Sequence, residues 1–226
     1  MPELTYEEIP RLTKDTAVSD LRSGEHPRVV RALLSLALFS QEQTWVKDIC
    51  VEYARSPNEN IRGIAILCLG HLARIHGTLD VDSVIPVFTN LLNDQSSFVS
   101  DYADIALSDV LTYCIPASYS RTSALRDLES GNLARMLLAL SSVSREEEDW
   151  RFAQEKCIEY FAYPDMVIQG TSMMALATIA SIHRRLDFDR VVALLESAAQ
   201  DSNAFVSRTA RSAIDCINVF LPSGEE

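Results

Sequence analysis

The sequence contains little glycine and proline. It has 7 glycines and 8 prolines in 226 residues, about half the usual share of these two residue types. Sandwiches and barrels of β-strands need many turn residues, so this scarcity disfavours an all-β fold and favours helices. No uninterrupted apolar run approaches the roughly 18 residues of a membrane-spanning helix. The acidic start of the chain also lacks the apolar segment of a secretory signal, so we expect a soluble, cytoplasmic protein without a membrane segment.

Positive charge is also scarce. The chain carries 20 lysines and arginines against 32 aspartates and glutamates, which gives a formal net charge of −12. Binding to nucleic acid or to an anionic membrane needs a basic surface, so both are disfavoured. The five cysteines are an odd number and form no CxxC pair, and a cysteine in an apolar helix behaves as a small hydrophobic residue. We expect reduced core thiols in a reducing compartment.

The chain contains an internal duplication. Shifted by 107 positions, Cys50–Val110 aligns without gaps onto Cys157–Ile217, with 20 identities in 61 positions. Upstream, Arg31–Leu36 resembles Arg135–Leu140, which requires a small gap in the alignment. On this alignment the acidic run 145–150 is a loop inserted in the second half only.

A shorter period lies within each half. Polar turns are followed by apolar residues with helical spacing, which is typical of pairs of antiparallel helices that bury one face against their neighbours. The six second helices of these pairs begin near Val30, Ile61, Val99, Ala134, Ile168 and Val206, at spacings of 31, 38, 35, 34 and 38 residues.

One of these units shows the pattern most clearly. Leu91–Asp94 is followed by Phe98-Val99 and then by spaced small and apolar residues at Ala103 and Ala106-Leu107. This pattern resembles the HEAT-repeat family over about residues 20–220. The resemblance implies an all-α protein, a right-handed α-solenoid of about six HEAT-like helical hairpins. We expect a single domain over residues 1–226, with duplicated halves at about 20–113 and 121–220.

Catalytic patterns are missing from the sequence. There is no glycine-rich phosphate loop, no GxSxG and no HExxH. His76 and His183 occupy equivalent positions in the two halves, where each is expected in the last turn of a long helix, close to its negative end. His71 and His76 are five residues apart, which does not place two imidazoles on one helix face for zinc. We expect no enzyme, no cofactor and no metal.

The acidic residues are concentrated in the first half. No lysine or arginine occurs between Arg74 and Arg121. Asp101 corresponds to Arg208 in the duplication, and Asp104 corresponds to Arg211, so one outward surface has reversed its sign. Helical spacing places Asp101, Asp104 and Ser108 on one stripe, with Asp109 and Tyr113 on a neighbouring one. The family resemblance places such second helices on the concave surface of the solenoid.

These residues are the candidate binding site for a basic protein. Tyrosine beside complementary charge is typical of protein interfaces, and a solvated acidic surface is the alternative reading. The acidic run after residue 145 is a second candidate rim, with an ordinary helix flank as its alternative. The candidate residues are Asp101, Tyr102, Asp104, Ser108, Asp109, Tyr113, Glu146, Glu147, Glu148 and Asp149.

The expected function is that of a noncatalytic protein-binding scaffold. The segments Trp45–Cys50 and Ala73–Gly77 resemble segments of small acidic bacterial immunity proteins. That resemblance implies a cognate toxin as the partner, blocked through the acidic surface. Two alternatives stay open: an adaptor or assembly scaffold, and a HEAT-like lyase or chaperone that acts on a protein-bound cofactor.

Overall fold

The computed structural model of the protein describes residues 8–221. This part of the chain forms twelve α-helices and no β-strand, which confirms the all-α prediction. In chain order the helices are α1 (Lys14–Arg22), α2 (His26–Phe39), α3 (Gln43–Tyr53), α4 (Glu59–His76), α5 (Val81–Leu91), α6 (Ser97–Tyr113), α7 (Arg121–Leu128), α8 (Leu133–Glu146), α9 (Trp150–Phe161), α10 (Met166–His183), α11 (Phe188–Ala198) and α12 (Ala204–Phe220).

The chain divides into two compact units, a first unit of Met1–Cys114 and a second unit of Ile115–Glu226. In the first unit α1 packs with α2, α3 with α4 and α5 with α6, and the second helices stack in the order α2, α4, α6. The second unit repeats this arrangement with α7 to α12. The six hairpins, three in each unit, confirm the prediction of an α-solenoid fold. The right-handed sense and the single domain over residues 1–226 stay predictions.

The duplication extends over all twelve helices without a gap. Every helix of the second unit begins 107 positions after its counterpart in the first. The gap predicted upstream is therefore wrong, and Arg135 is the counterpart of Arg28 rather than of Arg31. An alignment shift of three residues is close to one helical turn, so apolar residues still align with apolar residues. The apolar pattern of the sequence therefore does not reveal the shift.

The acidic run is not an insertion either. The connection from Glu146 at the end of α8 to Trp150 at the start of α9 has the same length as that from Phe39 to Gln43 in the first unit. The prediction of a loop found only in the second half is therefore wrong.

Two equivalent glycines set how closely the second helices approach each other. A Cβ atom added to Gly63 would lie 2.5 Å from the Phe98 ring, and one added to Gly170 would lie 2.7 Å from the Phe205 ring. Each pair joins neighbouring second helices of one unit, α4 to α6 and α10 to α12. The glycines thus leave room for an aromatic ring against the adjacent helix, and both units use the same device.

Helix α10 has the length and composition of a membrane span. Met166–His183 contains 18 residues without a charged side chain, and 61% of this window is buried inside the protein. The buried side chains pack on α8, α9 and α12. This burial is that of a core helix surrounded by its own unit.

Candidate protein-binding surface

The outward side of α6 brings three of the predicted residues together. Asp101 and Ser108 are exposed and Asp104 is half-buried, while Val99, Ala103, Ala106 and Val110 on the opposite side are buried. Between the polar residues lies Ile105, which is 44% exposed. We call Asp101, Asp104, Ile105 and Ser108 the acidic face.

Ile105 is absent from the predicted site, because the prediction included only the polar members of the outward stripe. The signal was present in the sequence. Ile105 lies four residues after Asp101, which places it on the same side of the helix. It also lies outside the buried stripe of α6. An apolar residue at such a position is one that the fold itself does not cover.

The neighbouring stripe of α6 is turned toward α4. Tyr102 is half-buried and its ring packs on Phe98 of the same helix, with the ring centroids 4.5 Å apart. A Cβ atom added to Gly63 of α4 would lie 3.3 Å from the Tyr102 ring. Asp109 is buried, and both its carboxylate oxygens accept hydrogen bonds from Arg74 of α4, at 2.9 and 2.8 Å. Tyr113 is 43% exposed at the end of the helix. The carboxylate of Asp109 therefore joins two helices of the solenoid, contrary to the outward placement expected from its stripe.

The acidic run of the second unit separates into buried and exposed residues. Glu146 and Glu148 are exposed, whereas Glu147 is only 5% exposed. The carboxylate of Asp149 caps α9 by accepting hydrogen bonds from the backbone N–H groups of Arg151 and Phe152, at 3.1 and 3.3 Å. An N-cap of this kind satisfies donors that the first helical turn leaves unpaired.

Glu147 is the centre of a buried polar cluster. Its carboxylate accepts hydrogen bonds from the Tyr119 hydroxyl at 2.7 Å, from Nε of Arg121 at 2.8 Å and from the Asp149 N–H at 3.0 Å. The Arg121 guanidinium lowers the pKa of Glu147 to about 2, although burial acts in the opposite direction. Glu147 is thus charged and internally bonded, so we assign it to the structure of the second unit and leave it out of the proposed binding surface.

The reversal of sign between the units occurs at equivalent places on equivalent helices. Arg208 is half-buried and Arg211 is exposed on α12, where α6 carries Asp101 and Asp104. The Arg211 guanidinium also donates a hydrogen bond to the Ala199 carbonyl oxygen at 3.0 Å. The two units therefore present opposite charge on the corresponding helix.

Histidines and cysteines are the residue types from which a metal site could be built. His76 and His183 are the last residues of α4 and α10, as predicted. Burial lowers the pKa of His71, and a hydrogen bond with Cys50 together with burial raises that of Cys68. Within residues 8–221 no three His, Cys, Asp or Glu side chains come close enough to hold a metal ion.

Comparisons with known proteins give similarity at the level of structure only. No family model and no curated protein matches the sequence. Similar solved structures include an engineered protein at 17% identity and TM-score 0.41, covering 92% of this chain and 98% of that chain. They also include a designed armadillo repeat protein at 15% identity and TM-score 0.37, and another in complex with the peptide (KR)4 at 16% and 0.39. Each of these two matches covers 89% of this chain and 98% of the other.

Proposed function

We propose that the protein is a noncatalytic scaffold whose acidic face binds a basic surface of a partner protein. The observation that supports this is the position of Ile105, an exposed aliphatic side chain beside Asp101 and Asp104. Apolar contact area with charged residues at its edge is the usual anatomy of a protein interface. The negative charge also accelerates the encounter with a basic partner.

In its sharper form the proposal identifies the partner as a cognate bacterial toxin and the protein as its immunity protein. The immunity-like segments Trp45–Cys50 and Ala73–Gly77 and the net charge of −12 support this form. An acidic face that covers the basic substrate-binding surface of a toxin, for example a nuclease, would exclude the toxin's substrate. In the adaptor alternative the same surface would join a partner without inhibiting it.

The test is a double charge reversal on the acidic face. The tagged full chain, as wild type and as Asp101→Lys/Asp104→Lys, is used to purify partners from the native host, and the recovered protein is then titrated by isothermal calorimetry. We expect a basic partner whose affinity falls at least about 100-fold in the variant, because like charges at an interface cost several kcal/mol. Co-expression with the recovered partner separates an immunity protein, which restores growth, from an adaptor.

The matched control is Glu129→Lys/Glu196→Lys, which changes the net charge equally at two exposed sites of the second unit. This control should keep the affinity within about threefold, since it leaves the charge of the acidic face unchanged. Equal affinity of wild type and Asp101→Lys/Asp104→Lys would show that the partner binds elsewhere. An absorbance spectrum with a bound pigment would favour the lyase or chaperone alternative.

A further inference from the structure

The second unit contains a half-open cavity between α7, α8 and the segment that precedes α7. Its volume is about 110 Å³, and the residues lining it include Asp127, Arg135, Leu138, Ala139 and Ser142. A site for one water needs only about 10–15 Å³. The cavity is therefore large enough for a group the size of one amino-acid side chain.

Three polar groups of this cavity lack partners within residues 8–221. Ser142 is 6% exposed and its Oγ atom is buried without a hydrogen bond. Asp127 and Arg135 line the same cavity, yet within residues 8–221 neither side chain forms an ion pair. A buried hydroxyl without a partner is unfavourable, whereas Asp127 is half-buried and Arg135 is exposed, so their charges reach solvent.

The duplication shows what fills the equivalent place in the first unit. With the offset of 107, Asp20 is the counterpart of Asp127, Arg28 of Arg135, and Ser35 of Ser142. There the Ser35 hydroxyl accepts a hydrogen bond from the backbone N–H of Leu12 at 2.9 Å. The hydrogen-bond partner of the Ser35 hydroxyl is thus a backbone N–H of the segment that leads into α1.

The charged pair is also complete in the first unit. Asp20 accepts hydrogen bonds from Nε of Arg28 at 2.9 Å and from the Arg31 guanidinium at 2.6 Å. The second arginine has no counterpart in the second unit, because Leu138 occupies the position equivalent to Arg31. Asp127 therefore lacks the guanidinium that its counterpart binds.

The segment that would close the cavity is held elsewhere. Tyr119 is the counterpart of Leu12, and its hydroxyl is bound by Glu147. Glu147 also binds Arg121 at the start of α7, so this cluster fixes the course of the chain before the helix. The backbone of Tyr119 consequently makes no hydrogen bond to Ser142, whose hydroxyl is left without a partner.

We propose that this cavity is a docking site for a peptide segment of a protein partner, in which an apolar residue enters the cavity and the adjacent arginine binds at its edge. The peptide N–H donates to Ser142, the arginine pairs with Asp127, and the apolar side chain packs against Leu138 and Ala139. A peptide carbonyl oxygen accepts from Arg135. This inference rests on the proposed function only in assuming a protein partner, and its site lies in the other unit from the acidic face.

The probe comes from the chain itself. The peptide Glu-Ile-Pro-Arg-Leu-Thr, which reproduces residues 8–13, carries the Arg11-Leu12 pair and the N–H that occupies Ser35 in the first unit. Acetylated or fluorescein-labelled at its N-terminus and amidated at its C-terminus, it is titrated against the full chain by fluorescence anisotropy. We expect a Kd below about 1 mM, an affinity that a single pocket of this size can supply.

The decisive variant is Leu138→Arg, which restores the arginine of the first unit and should pair with Asp127. We expect it to weaken peptide binding at least tenfold, whereas the matched Leu138→Met, which keeps the apolar surface, stays within threefold. Ser142→Val removes the hydroxyl that accepts from the peptide N–H and should also weaken binding at least tenfold. Replacing the arginine of the peptide by glutamine should have a similar effect.

The outcomes separate this site from the proposed function. No binding to wild type at 1 mM peptide, or equal binding to folded Leu138→Arg and Ser142→Val, overturns the cavity and leaves the acidic face standing. Loss of peptide binding in Asp101→Lys/Asp104→Lys shows that the peptide binds the acidic face, which also overturns the cavity. Retention of the partner by Leu138→Arg together with loss of the peptide supports two separate sites.

Discussion

The cluster around Glu147 allows a quantitative test of the second unit. Glu147→Gln keeps the size of the side chain and one acceptor oxygen, but it removes the charge that binds Arg121. Tyr119 and the Asp149 N–H bind different oxygens of Glu147, so only one of these two hydrogen bonds can persist in the variant. A hydrogen bond to a charged group contributes about 1.5–3 kcal/mol. Because the Arg121 side chain is 46% exposed, its bond belongs at the lower end of that range. We expect a loss of about 2 kcal/mol in the free energy of unfolding.

Thermal unfolding followed by circular dichroism measures this loss. For a chain of this length 1 kcal/mol corresponds to about 2–4 °C in Tm, so Glu147→Gln should lower Tm by about 4–8 °C at pH 7. The exposed neighbour provides the control, since Glu148→Gln should change Tm by less than about 1 °C.

The pH dependence of the difference in Tm between wild type and Glu147→Gln tests whether the stabilisation is electrostatic. The folded protein lowers the pKa of Glu147 from 4.5 to about 2. The stabilisation is therefore complete above the ordinary pKa and is lost as the pH falls toward the folded value. The gap in Tm between wild type and Glu147→Gln should be constant near neutrality and shrink between pH 4.5 and 2. A variant as stable as wild type at pH 7, or a gap independent of pH, would refute the reasoning.

Two further predictions concern packing. A Cβ atom on Gly70 would lie 3.0 Å from Cα of Ala106 and 3.0 Å from the Asp109 carboxylate. Gly70→Ala should therefore lower the free energy of unfolding, measured with urea, by about 1 kcal/mol, because overpacking exceeds the gain in helix propensity. A variant more stable than wild type would contradict this. Burial raises the pKa of Cys157 to about 12, so iodoacetamide should label it only in urea when peptides are mapped by mass spectrometry. Rapid labelling of the folded protein would show that this thiol is accessible.

The fold could be predicted from the sequence because each helix is specified by residues within a few positions of one another. The stripe of buried residues in α4, such as Leu69 and Leu72, repeats with helical period, and the polar turn before it contains Asn58, whose side chain caps the helix. The duplication then predicted the second unit from the first. It failed only before Cys50, because a shift of about one helical turn there also aligns apolar residues, as in the match of Arg31–Leu36 to Arg135–Leu140.

The candidate site was harder to predict, because helical spacing shows which residues share a side but not which neighbour covers that side. Asp109 is one stripe away from Asp101, yet it faces Arg74 of the adjacent hairpin. Glu147 is buried by Tyr119 and Arg121, more than twenty residues earlier in the chain. The cavity beside Ser142 could not be predicted either, because recognising it requires the correct alignment of α8 with its counterpart α2.

The stacking of second helices within each unit also bears on how the chain folds. Helices that stack begin 33 or 38 residues apart, in the first unit and again in the second. Native contacts therefore close short loops, whose entropic cost is small, and topologies of this kind reach the folded state in about microseconds to milliseconds. Because each hairpin is supported by its sequence neighbours, folding can begin at more than one hairpin and spread along the stack.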